Sequence, residues 1–94
     1  MVKDFYQAVD VAAGGWIEVP MGDVLDGQGV NNNSGVACEV SFDAGVTSLA
    51  LRATGPTSAL TWESHARSTV WVKRTAGTGG GPLIVDVYGW RELR

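Results

Sequence analysis

From residue 36 to residue 42 apolar and polar side chains alternate, so that Val36, Cys38, Val40 and Phe42 fall on one side of an extended chain. Only a strand has a two-residue side-chain period, and a one-residue slip would carry the whole apolar set to the opposite face. The same period returns along the sequence. In residues 4–11 it places Phe5, Gln7, Val9 and Val11 together, and in residues 16–21 it sets Ile17, Val19 and Met21 opposite Trp16 and Glu18. Residues 47–53, 59–63, 68–74 and 83–90 complete a series of seven or eight short runs, and no stretch shows a convincing 3.6-residue period.

This pattern predicts an all-β chain, a small antiparallel β-sandwich or jelly roll of seven to eight strands, forming a single domain over residues 1–94. Residues 1–12 are expected to be its first strand or an N-terminal arm that becomes one on assembly. Pro20 lacks an N–H and marks its strand as an edge or as ending there. Three residues closing on Gly45 join two alternating runs, which predicts a hairpin. A second hairpin is expected where the glycine-rich residues 75–82 link the last two runs. Closing it with Arg74 opposite Leu83 sets Val72 against Val85 and Val70 against Val87. The expected core contains Val36, Cys38, Val40, Leu49, Leu51, Val70, Val72, Val85 and Val87. Residues 22–35, rich in Gly, Asp and Asn, read as one long exposed loop.

Charge and cysteine content narrow the function classes. Seven basic residues are scattered among ten acidic ones, without the basic stripe of a nucleic-acid binder. No apolar run reaches the ~18 residues of a membrane helix, and no secretory leader is legible at the N-terminus, so synthesis and folding are expected in the cytoplasm. Cys38 is the single cysteine, which excludes a disulfide within the chain, and its place in an apolar row reads as a small buried hydrophobe.

Catalytic motifs are hard to assemble. His65 is the lone histidine, so any Ser–His–Asp triad must use it, and its place between two strands reads as an ordinary loop histidine. One cysteine and one histidine are not a zinc cluster. Asp23, Asp26 and Asn31 to Asn33 carry oxygen ligands suited to calcium, but without EF-hand spacing, and turn chemistry accounts for them. The glycine run ending at Gly81 joins strand to strand, whereas phosphate loops open a helix. No enzymatic activity, cofactor or metal is expected.

The last two runs are the richest in aromatic residues. On the face opposite the valines they carry Trp71, Lys73, Ile84, Asp86, Tyr88 and Trp90, a composition typical of interfaces. Together with Phe5 and Tyr6 near the N-terminus and the amides of Asn31, Asn32 and Asn33, Trp71, Tyr88 and Trp90 form the expected binding surface. Burial of these rings against the domain's own loops, and a sugar-stacking platform, are the competing readings.

The closing sequence Ser68-Thr69-Val70-Trp71-Val72-Lys73-Arg74, a glycine-rich turn, then Leu83-Ile84-Val85-Asp86-Val87-Tyr88-Gly89-Trp90 resembles the ends of small β proteins in tailed-phage virions. The resemblance implies a non-enzymatic β-sandwich subunit of the virion, made in the host cytoplasm. Its role would be a capsid decoration or cement protein, or a head or tail accessory protein. Its implied partners are a major capsid or tail protein and further copies of itself, three-fold more than two-fold, with no nucleic acid and no membrane. The alternative is a small carbohydrate-binding or host-adsorption module using its aromatic residues.

Overall fold

The computed structural model describes residues 2–21, 27–55, 58–62, 69–75 and 82–91. Its strands are β1 (Val2–Asp10), β2 (Ile17–Pro20), β3 (Gly27–Asn32), β4 (Cys38–Ser41), β5 (Leu49–Leu51), β6 (Ala59–Trp62), β7 (Thr69–Arg74) and β8 (Ile84–Arg91). They form two four-stranded antiparallel sheets, ordered β1-β8-β3-β6 and β2-β7-β4-β5. Strands pair from the outside in, β1 with β8, β2 with β7, β3 with β6 and β4 with β5. The further pairings β3·β8 and β4·β7 complete the sheets. A long antiparallel ribbon wrapped on itself in this way is the eight-stranded jelly roll.

The inward rows of both sheets form a core dominated by valine. Among the described residues, nine of the twelve buried hydrophobic residues are Val9, Val11, Val19, Val30, Val40, Val70, Val72, Val85 and Val87, joined by Met21, Cys38 and Leu51. Branched side chains suit a pleated surface, and larger residues close the margin. Phe42, following β4, meets Trp62 of β6 edge-on, with ring centroids 4.8 Å apart, so one aromatic pair bridges the two sheets. The Trp62 indole N–H donates to buried Gln28 Oε1 at 2.6 Å.

Several expectations change here. β7 and β8 do not form a hairpin, because they lie in different sheets. Val72 stands between Ile17 and Val40, and Val85 between Val9 and Asn32. Each strand is internal to its sheet, so their valines share the core without sharing a ladder. The β4–β5 hairpin does form, with Cys38 opposite Leu51 and Val40 opposite Leu49. Leu49, at the start of the edge strand β5, is nevertheless 51% exposed, and Val36 is only partly buried. Residues 27–32 of the expected loop are β3, an internal strand with Gln28, Val30 and Asn32 buried. The N-terminal residues are no separate arm, because β1 pairs with β8 of its own chain.

Asn32 ties the sheets together. Its Nδ2 donates to the carbonyls of Val36 at 2.7 Å, Leu51 at 3.0 Å and Arg52 at 3.1 Å, while Oδ1 accepts from the Ser34 backbone N–H and hydroxyl. Strand β3 is thereby fastened to the chain entering β4 and leaving β5.

The β4–β5 turn is built on Asp43. Its carboxylate accepts from the Ser41 hydroxyl and from the backbone N–H and hydroxyl of Thr47, across a tip where Ala44 and Gly45 both take positive φ. The hydroxyl and backbone N–H of Thr47, then the Ser41 hydroxyl, hold the Asp43 carboxyl down at about 2 from its ordinary 3.8. A depressed folded value contributes stability that is present above the ordinary carboxylate range and is lost as pH falls toward 2. An NMR titration should therefore place the Asp43 midpoint near 2. Thr47→Val should raise that midpoint, and an unchanged midpoint would remove the hydroxyl from the clasp.

Candidate functional site: the aromatic face of the β1-β8-β3-β6 sheet

Register places the outward side chains of this sheet in rows. Trp90 stands between Lys3 and Gly27, Tyr88 between Tyr6 and Gly29, and Asp86 between Ala8 and Asn31. Two of these neighbours are glycines, and the rings occupy the space a side chain would take. A Cβ on Gly27 would lie 2.1 Å from Trp90 Cζ2, and one on Gly29 2.5 Å from Tyr88 Cζ. Both rings therefore lie down over β3, stacked with centroids 6.0 Å apart and an interplanar angle of 27°. The beginning of β3 is glycine-rich because its outer surface is covered by aromatic rings. Thr61 and Ala59 continue the two lower rows onto β6 with small side chains.

A polar cluster lies alongside. Tyr6, 56% exposed, donates its hydroxyl to Asp86 Oδ1 at 2.5 Å, and Asn33 Nδ2 donates to Asp86 Oδ2. The hydrogen bond to Asp86, then desolvation and the Asp86 charge, raise the Tyr6 phenol above its ordinary value, so it remains a protonated donor. Tyr6, Asn33, Asp86, Tyr88 and Trp90 thus form one surface, with Asn31 beside it.

Five of the eight residues expected at a binding surface meet here: Tyr6, Asn31, Asn33, Tyr88 and Trp90. The other three stand elsewhere. Phe5 packs against the core, because a register shift between Lys3 and Phe5 sets the facing of the strand that follows. Asn32 is buried as the tie between the sheets, so it offers nothing to a polar rim. Trp71 lies on the outer face of the other sheet, opposite Glu18 and Ser41, where the absence of a β7–β8 hairpin leaves it.

That second face has an aromatic residue the sequence reading did not single out. Lys73 Nζ sits 4.9 Å from the centroid of the Trp16 ring and 3.6 Å from Glu39 Oε2, and Trp16 closes over Gly45 of the β4–β5 turn. Its only signal in the sequence was an outward position beside Ile17, which does not reveal a cation on another strand.

Among the described residues no three His, Cys, Asp or Glu side chains converge as metal ligands, and no buried side-chain polar atom lacks a partner. No helix among them is long and apolar enough to cross a membrane. Cys38 is buried, and desolvation pushes its thiol up despite the nearby Ser34 hydroxyl, which weakens it as a nucleophile. An open depression of about 320 Å³ beside β4 and β5 is bordered by Glu39, Leu51 and Arg52, without a converging set of polar groups. His65, Asp23, Asp26 and the glycine run ending at Gly81 lie outside the described residues. Compared with protein-family models, curated proteins and solved structures, the chain matches none.

Proposed function

We propose that this chain is a non-enzymatic structural subunit of a virion, of the capsid-decoration or cement type. In this reading it binds a major capsid or tail protein through the outer face of the β1-β8-β3-β6 sheet. The observation that carries it is the surface formed by Tyr6, Tyr88 and Trp90, with two rings laid over the glycines of β3. Small-molecule sites are typically concave. A sheet face of Tyr and Trp beside an amide and a carboxylate has instead the chemistry of a protein interface. Jelly rolls recur in viral capsid domains and in lectins, so the fold agrees with the reading without deciding it.

Antibody against the chain, applied to particles and to soluble lysate from the producing cells, should label particles in many regularly placed copies. Trp90→Ala should reduce the number of copies retained per particle. Label confined to the soluble fraction would overturn the proposal. The near-parallel rings of Tyr88 and Trp90 also favour a second reading, a platform on which sugar rings stack. Saccharide-dependent quenching of tryptophan fluorescence that disappears in Trp90→Ala would establish it in place of the first.

A further inference from the structure

We propose that the outer face of the β2-β7-β4-β5 sheet receives an arginine side chain of a protein partner, its guanidinium laid on the Trp71 ring and paired with Glu18. Register sets the outward side chains of this sheet in adjoining rows. In one row Lys73 of β7 stands beside Glu39 of β4, with Trp16 on its other side. In the next, Trp71 of β7 stands between Glu18 of β2 and Ser41 of β4.

The first row shows how this face treats a cation. Lys73 Nζ lies 4.9 Å from the centroid of the Trp16 ring and 3.6 Å from Glu39 Oε2, while Glu39 Oε1 accepts from the Ser48 hydroxyl at 3.0 Å. Ring, ammonium and carboxylate are matched within the chain. The second row offers the same two partners, an indole and a carboxylate, without the cation. Among the described residues Trp71, which is partly exposed, makes no ring or cation contact, and Glu18, which is exposed, makes no ion pair. Lys73 is two positions along β7 from Trp71 and is already held by Trp16 and Glu39. The Ser41 hydroxyl is donated to Asp43 at 2.7 Å.

Charge favours a basic occupant. Lys73 offsets Glu39, Glu18 is left over, and the exposed Asp43 carboxylate borders the Trp71 row beyond Ser41. An aromatic surface flanked by carboxylates complements a cation. The arrangement further selects arginine over lysine. Lys73 meets its ring and its carboxylate from a place between them, as a point charge can. Trp71 and Glu18 stand side by side, which suits a flat group lying across both, stacked on the indole with its N–H fork turned to the carboxylate. This face lies on the other sheet from Tyr88 and Trp90, so the inference does not depend on what those rings bind.

NMR of the intact chain follows its four tryptophan indole N–H groups separately. Titration with a peptide of alternating arginine and glycine should move the Trp71 signal to saturation, and the matching lysine peptide should bind more weakly. Glu18→Gln changes an exposed residue, so it should leave the melting temperature unaltered while weakening arginine-peptide binding roughly threefold at low salt. A Trp71 signal that stays still, movement of the Trp90 signal in its place, equal binding of the two peptides, or undiminished binding by Glu18→Gln would overturn the proposal.

Discussion

Asn32→Asp is expected to lower folding stability by roughly 3–5 kcal/mol, although it replaces one atom with another of similar size. The amide nitrogen donates to the carbonyls of Val36, Leu51 and Arg52 from a side chain only 4% exposed. A carboxylate has no proton for any of them and would set a negative charge against three carbonyl oxygens. Burial and those carbonyls favour the protonated acid, so the deficit should shrink as pH falls through the raised carboxyl value. Urea denaturation at neutral and at mildly acidic pH measures both effects. A loss below about 1 kcal/mol at neutral pH would mean that the tie is not holding the sheets together.

Val72→Asp should be comparably damaging, at roughly 4 kcal/mol, for a different reason. Val72 is fully buried, paired with Ile17 on one side and Val40 on the other, in the middle of its sheet. Its ladder neighbours Ile17 and Val40 have no side-chain hydrogen-bond donor to offer a carboxylate. Val72→Ala separates lost packing from inserted charge and should cost about 2 kcal/mol. Equal losses in the two variants would show that water reaches the charge and that the sheet interior is more open than its geometry implies.

Apart from β3, the strands and their faces were legible in the sequence, but of their pairings only the β4–β5 hairpin was. Alternation reports which side chains share a surface, so Val70, Val72, Val85 and Val87 were correctly expected inside. It does not report whether two such rows lie side by side in one sheet or face one another across the core. β3 was hidden for a specific reason. Gly27 and Gly29 have the composition of a turn, and their role shows only when the rings of Trp90 and Tyr88 are found over them. Asn32 was hidden similarly, because an asparagine that caps carbonyls inside a sandwich has the same letter as one on a surface loop. The candidate face was legible as far as Tyr6, Tyr88 and Trp90, whose outward positions follow from strand period. Trp71 was misplaced with them because its face depended on a pairing the chain does not make.

The wrapped pairing order has a consequence for how the protein must be made. β8 lies between β1 and β3, and β6 is attached through β3, so the strand that follows all the others is the one joining the first to the rest of its sheet. While the chain is leaving the ribosome, β1 has no neighbour to pair with, and the β2-β7-β4-β5 sheet is also incomplete until β7 emerges. Completion of both sheets thus waits until β7 and β8 have emerged, and ladders that link distant parts of a chain close slowly. A nascent chain halted before β8 should remain sensitive to protease and available to chaperones, with its apolar rows uncovered throughout that interval.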